Sequence, residues 1–267
     1  MDKVIHRADT RGYADHGWLR TFHTFSFAGY YDPHRIHFGA LRVLNDDTVA
    51  GGKGFGTHPH DNMEIVSIPL SGTLMHRDSM GHAETLSVGE IQVMSAGMGI
   101  THSEYNADPA VPVQFLQIWI MTDRRNHTPR YETVRLDPPE KNRLRLIVAP
   151  EGFGDSGHTG WLHQTTWFYT ADIEAGREVE YVLNGRGNGV YLFVLEGRVE
   201  VGDATLGRRD GMGIWNTERF AVRAADEAQV LLIEVPMSCR LRACRRTALV
   251  STRNVRAKVA VVKAVIC

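Results

Sequence analysis

No stretch of this chain before residue 238 carries a helical period. Its apolar residues fall instead in short runs, such as Glu64-Ile65-Val66-Ser67-Ile68-Pro69-Leu70, Glu90-Ile91-Gln92-Val93-Met94 and Gln114-Phe115-Leu116-Gln117-Ile118-Trp119-Ile120. Each run is rich in β-branched residues and bounded by Gly, Ser, Asn or Pro. That pattern predicts strands, and turn signals at this spacing predict an all-β sandwich or barrel. With 267 residues the chain suits one large or two small domains with real cores.

The strand pattern repeats. Ser67-Ile68-Pro69-Leu70-Ser71-Gly72 is similar to Leu192-Phe193-Val194-Leu195-Glu196-Gly197, and Val88-Gly89-Glu90-Ile91 to Asp210-Gly211-Met212-Gly213-Ile214. The offsets, 125 and 122 residues, fit one duplicated β unit. Polar, Pro-containing segments place the boundary within 123–143. We therefore expect a first domain over 1–125, a second over 126–238 and a separate tail over 239–267.

The tail differs from the body. It holds eight Lys/Arg, no Asp/Glu and all three cysteines, Cys239, Cys244 and Cys267. The body is left with 22 basic and 31 acidic residues, a balance that gives no support for nucleic-acid binding. A body without cysteine has neither disulfide nor thiolate ligand, which fits a reducing cytosol. The polar start, Met1-Asp2-Lys3-Val4-Ile5-His6-Arg7, has no signal-peptide h-region, and no apolar run reaches the roughly 18 residues of a membrane span. The expectation is a cytoplasmic monomer without nucleic-acid or membrane partners. The tail reads as a basic arm for a membrane surface or acidic partner, or as an extension without function. The second reading is favoured, with poor packing expected.

Two short motifs carry chemistry: His58-Pro59-His60 and His102-Ser103-Glu104. A spacing of i, i+2 puts both side chains of each pair on one strand face. Two such strands in a small barrel aim three imidazoles and a carboxylate at one point. Three His and one carboxylate without sulfur suit non-haem iron or a related divalent ion. An octahedral ion would keep two positions open, whereas a tetrahedral zinc would be saturated. A lone His-x-His is more often a surface or hydrogen-bonded pair; the second motif shifts that balance. A helix-alternating barrel that opens with His-x-His is excluded by the absence of helices. Glu64, at even spacing from His58 and His60, is an alternative carboxylate ligand, a supporting acceptor or a core-edge residue. Met63, Met94 and Met98 read as core. Shifting by the repeat offsets puts Leu183 and Gly185 opposite His58 and His60, and Ala224 and Asp226 opposite His102 and Glu104. No His follows His163. Only the first unit is expected to hold metal.

With these residues in view, the chain resembles the cupin superfamily. Gly52, His58-Pro59-His60, Glu64 and Gly72 are similar to the first cupin motif; Gly89, Gly97, His102 and Asn106 are similar to the second. Ser95 stands where that motif has proline, and the gap from Gly97 to His102 is long. Within cupins the chain resembles the pirin family. Phe22-His23-Thr24-Phe25-Ser26-Phe27, Arg42-Val43-Leu44-Asn45-Asp46-Asp47, His58 to Glu64, His76-Arg77-Asp78-Ser79-Met80-Gly81, Ser95 to Glu104, Gln117-Ile118-Trp119 and Tyr169 to Gly176 carry the likeness, over about residues 1–237.

The resemblance implies a bicupin, two β-barrels face to face, with the metal in the N-terminal one. It implies His58, His60, His102 and Glu104 as ligands, with Glu64 outside the set. It further implies quercetin 2,3-dioxygenase activity, with a flavonol and dioxygen as substrates and Glu104 as general base. The ion is expected to be Fe(II), with Zn, Ni, Co, Cu and Mn compatible. The alternative is a non-enzymatic, metal- or redox-responsive regulatory protein, since pirins are also described as transcriptional co-regulators. A cupin isomerase or epimerase without a redox metal is a weaker third.

Overall fold

The computed structural model describes residues 1–154 and 157–238; the tail 239–267, with its expected poor packing, lies outside the described residues. Among the described residues there are 22 strands and one short 3-10 turn, Ala8–Thr10. The three apolar runs form the strands Met63–Ser71, Glu90–Ser95 and Val113–Met121.

The strands make two seven-stranded and two four-stranded sheets. In the first large sheet the order is Arg130–Arg135, Glu90–Ser95, Met63–Ser71, Val113–Met121, Leu41–Val49, Leu19–His23, Gly12–Asp15. In the second it is Asp2–His6, Gly211–Trp215, Asn188–Glu196, Ala228–Pro236, Trp167–Ile173, Arg145–Pro150, Gly160–Leu162. The small sheets match as well: Gly54–His60, Ile100–Asn106, Thr73–Asp78, Ala83–Ser87 against Glu178–Val182, Arg219–Ala224, Val199–Val201, Ala204–Leu206. Each large sheet closes with a small one into a barrel, and the two barrels face each other. The duplication lies in the turns too. Gly72 and Gly197 both have positive φ, and a Cβ on either would press into the start of the strand beginning at Val113 or Ala228.

Sheet membership crosses the boundary expected between 125 and 126. Asp2–His6 adds to the second barrel by pairing with Gly211–Trp215, and Arg130–Arg135 adds to the first by pairing with Glu90–Ser95. Each addition covers a sheet edge that would otherwise be open.

The main core lies between the barrels. Leu44, Val66, Ile118, Phe168, Phe193 and Ile233, all essentially buried, pack there from the two large sheets. One ion cluster shares this layer. Asp46 Oδ2 lies 3.0 Å from Arg209 Nε of the other barrel and 3.5 Å from Arg11, and the three side chains are 4–6% exposed. Burial of two guanidiniums is tolerable only because a carboxylate faces both.

Removal of that negative charge leaves buried Arg11 without a carboxylate partner and Arg209 with only the more distant Glu196, at 3.7 Å. Asp46→Asn is therefore expected to lower the unfolding free energy by about 3–5 kcal/mol in urea denaturation. A change below about 1 kcal/mol would show that the cluster does not hold the barrels together.

Candidate metal centre

The strand Ile100–Asn106 runs through the small sheet of the first barrel between Gly54–His60 and Thr73–Asp78. Its inward residues are Ile100, His102, Glu104 and Asn106, all buried. His102 pairs with His58, and Ile100 with His60. Beyond this the register slips, because Glu104 pairs with Phe55, so Gly56 and Thr57 together oppose Ser103. This bulge re-aims the strand, keeping His58, His60 and Phe55 turned to the interior. Gly54 is needed at the close approach, since a Cβ there would lie 2.2 Å from the Glu104 carbonyl. Pro59 is tolerated because its strand is a sheet edge.

The three imidazoles converge. Ring centroids are 4.5 Å apart for His58 and His102, 4.8 Å for His60 and His102, and 4.9 Å for His58 and His60. Ligand atoms of the three lie within 4.8 Å of one another. Glu104 falls in a second such cluster with His102 and His76. Its carboxylate accepts from Gln117 Nε2 at 2.9 Å and, more weakly, from Ser67 Oγ at 3.4 Å.

The residues fit a divalent ion. His58 donates from Nδ1 to the Gly56 carbonyl at 2.8 Å, which leaves Nε2 free. His102 Nε2 is buried without any hydrogen-bond partner, a costly state unless a ligand meets it. Burial, helped by the neighbouring imidazoles, pushes the His102 pKa down to about 2 and that of His60 to about 4. Both rings are thus in the neutral, metal-binding form at neutral pH. Burial raises the Glu104 carboxyl to about 7.

Glu64 turns away. The left-handed residue Asn62 separates its strand from Gly54–His60, which breaks the parity argument. Glu64 faces the inter-barrel layer, where it accepts from Ser95 Oγ at 2.7 Å and Thr122 Oγ1 at 3.1 Å. Ser95, the departure from the cupin proline, is thus the partner of this carboxylate. Met63 and Met94 are core, as expected, whereas Met98 is 67% exposed in the turn beside Gly97 and Gly99.

Sequence reasoning gave no role to several residues that surround the site. A polar belt crosses the large sheet opposite Glu104: Gln92, Ser67, Gln117, Asn45 and His23 occupy successive paired positions. Trp119, one inward step along from Gln117, meets His60 edge-on at 4.9 Å and Phe27 at 5.4 Å, and its buried Nε1 has no partner. His76 and Asp78 lie on the strand beside His102. The fragment His76-Arg77-Asp78 and the pair Gln117 and Trp119 were visible as family-like segments, but only the pairing shows what they touch.

Among the described residues, the second barrel offers no such site. In the matching ladder the positions of His58, His60, His102 and Glu104 are held by Tyr181, Leu183, Phe220 and Val222. These differ from the residues expected from fixed offsets, because the connection after Glu178–Val182 is longer and the hairpin Val199–Leu206 is shorter than their counterparts after Gly54–His60 and at Thr73–Ser87. The conclusion that it lacks the ligand set is unchanged.

Two barrels of matched topology, with a histidine cluster in the first alone, define a bicupin. The pirin family model matches residues 5–120, and that of the quercetinase C-terminal cupin domain matches 146–235. A quercetin 2,3-dioxygenase of Escherichia coli K12 is 40% identical over 233 residues, covering 87% of this chain and 98% of that protein. A pirin-like protein of Caulobacter vibrioides is 36% identical, over 85% of this chain and 96% of that one. The bacterial pirin YhhW of Escherichia coli, solved in complex with nickel(II), superposes with a TM-score of 0.82 at 38% identity, over 88% of this chain and 99% of that one. The chain belongs to the pirin family of cupins. Among the described residues, no helix is long and apolar enough to cross a membrane.

The lowered imidazole pKa values set the acid response of the metal-free protein. An unfolded histidine takes up a proton near pH 6.5, whereas folded His60 and His102 stay neutral to about 4 and about 2. Their contribution is therefore complete above pH 6.5 and is lost as pH falls towards those values. In chelator, His102→Ala should flatten the decline in unfolding free energy between pH 6.5 and 4 by about 1.4 kcal/mol per pH unit. Identical slopes in urea titrations of wild type and variant would contradict this.

Proposed function

We propose that the protein is a metal-dependent quercetin 2,3-dioxygenase, which opens the ring of a flavonol such as quercetin with dioxygen and releases carbon monoxide. The observation that carries this reading is the convergence of His58, His60 and His102 beside the buried carboxyl of Glu104. The similarity to a protein named quercetin 2,3-dioxygenase supports the substrate class. The reaction balances as flavonol plus dioxygen giving an ester and carbon monoxide, with no external reductant.

In this reading His58, His60, His102 and Glu104 hold one divalent ion, for which we propose Fe(II); the same donors accept Ni, Co, Zn, Cu or Mn. When bound, the ion supplies Lewis-acid polarisation of the flavonol 3-oxygen and lowers its pKa. Glu104 takes the 3-hydroxyl proton on a carboxylate oxygen. Without an ion, burial raises its pKa to about 7; a bound cation would favour the charged carboxylate, the form that can accept a proton. Gln117 Nε2 holds the carboxylate in place. Phe27 and Trp119 give a flat aromatic substrate an apolar wall, and the unpartnered Trp119 Nε1 offers a hydrogen bond to a substrate oxygen. The setting in this reading is the cytoplasm, which a cysteine-free body suits.

Anaerobic reconstitution with Fe(II), followed by dioxygen uptake and carbon monoxide release with quercetin, tests the proposal. Wild type should show both in equal amounts. His102→Ala should lose the metal and both signals, and Glu104→Gln should reduce turnover by about 10²–10⁴-fold. A metal-loaded wild type that consumes no dioxygen with any flavonol would refute the reading.

A further inference from the structure

On the side of His102 away from His58 lies a second line of polar groups. His76 pairs with Glu104 across the ladder, and Asp78 pairs with His102, so both project into the barrel. His76 Nδ1 is 3.4 Å from His102 Nδ1, and His76 Nε2 is 3.3 Å from Asp78 Oδ2. Asp78 is fixed in turn: Oδ2 accepts from His82 Nδ1 at 2.8 Å, and Oδ1 accepts from the backbone N–H of Met80 at 2.9 Å and of His82 at 3.1 Å. The His76 ring stacks on Tyr131, with centroids 4.2 Å apart and planes 16° apart. The side chains of His76 and Asp78 are fully buried.

These contacts determine the tautomers. A carboxylate can only accept, so His76 carries its proton on Nε2 and donates it to Asp78. His76 Nδ1 is then an acceptor, and His102 must carry its proton on Nδ1. His102 Nε2 is left as a bare lone pair, which is the atom found buried without a partner. Both His76 nitrogens are engaged within the protein, which argues against His76 as a ligand although its atoms lie within ligand distance of His102 and Glu104.

We propose that His76 and Asp78 are positioning residues for the metal centre, a histidine–carboxylate pair that holds the proposed ligand His102 as its Nδ1–H tautomer and aims Nε2 at the ion. The inference rests on the proposed ligand set but not on the flavonol activity. Loss of such a supporting partner typically costs 10–100-fold in metal affinity.

Co(II) and Ni(II) binding, measured by chelator competition, gives the test, with the Co(II) visible spectrum as a second readout. His76→Phe keeps the stack on Tyr131 but cannot accept from His102; it should lose about 10–100-fold in affinity and change the spectrum. His76→Gln offers a carbonyl oxygen to His102 and should recover much of both. Asp78→Asn, which lets the His76 tautomer reverse, should also weaken binding. Unchanged affinity and spectrum in His76→Phe and Asp78→Asn would overturn the proposal. So would losses in His76→Phe and His76→Gln as complete as in His102→Ala, which would make His76 a ligand. If His76→Phe does not fold, Asp78→Asn and His76→Gln decide by the same criteria. A wild type that binds Co(II) but shows no flavonol turnover after Fe(II) reconstitution would sink the dioxygenase reading and leave this one standing; a wild type that binds neither Co(II) nor Ni(II) would sink both.

Discussion

The site depends on the pairing of one strand, Ile100–Asn106, with two different neighbours. On one side the bulged edge strand brings His58 and His60 level with His102. On the other, Thr73–Asp78 brings His76 level with Glu104. Side chains alternate across a strand, so a slip of one residue would turn His102 and Glu104 out of the barrel together. Three features pin the register. Gly54 permits the close approach, the bulge at Gly56 and Thr57 absorbs the extra residue, and the Gly56 carbonyl that the bulge presents orients the His58 ring.

The second barrel shows what the same ladder becomes without this chemistry. Tyr181, Phe220 and Val222 belong to its apolar core, packed with Val199 and Leu206. Its fully buried carboxylate Glu234 is saturated. Tyr181 Oη, the Asn184 and Gly185 backbone N–H groups, and the Asn184 and Asn188 amides all donate to it at 2.7–3.0 Å. Glu104 has one good donor and one long contact. A saturated carboxylate is a structural staple; an under-satisfied one keeps lone pairs for a metal or a proton. The contrast lies within one duplicated fold, so topology does not explain it.

The parts legible in the sequence were those with a local signature. Alternating and β-branched runs announced the strands, and the repeated Gly turns announced the duplication. The His-x-His spacing announced two of the three imidazoles. Arguments that carried parity or a fixed offset across a break went astray. Glu64 has the parity of His58 and His60 by count, but Asn62 in the left-handed region starts a new strand in another sheet. A longer connection and a shorter hairpin in the second unit put Tyr181 and Phe220, not the expected Leu183 and Ala224, opposite His58 and His102. The pairing of the first strand was invisible, since Asp2–His6 meets Gly211–Trp215 more than 200 residues away along the chain. His76 lies 26 residues before His102, and nothing in either segment states that a ladder places them side by side.

Polar groups inside a small barrel cost stability unless they are paired. The first barrel gathers most of that cost near one level, with buried Thr21 and Asp47 one inward step below it. Below the belt from Gln92 to His23, Leu19, Val49, Val113 and Phe115 form an apolar floor. Above it, Met63, Ile65, Met94 and Ile100 form an apolar collar with Trp119 packed against it. The belt satisfies itself in part: Ser67 Oγ donates to Gln117 Oε1 at 2.6 Å, Gln117 to Glu104, and His23 Nδ1 to Asn45 Oδ1 at 3.0 Å. Among the described residues, buried side-chain atoms without a partner include His102 Nε2, Trp119 Nε1 and the Gln92 amide at or beside the imidazole cluster, and Asp47 Oδ1 one inward step below the belt. A fold selected for stability alone would fill the positions of His58, His102 and Glu104 as the second barrel does, with Tyr181, Phe220 and Val222. The persistence of polar groups at the level where three imidazoles meet a carboxyl marks a local conflict that surrounding apolar packing offsets, and such conflicts belong to sites built for a ligand.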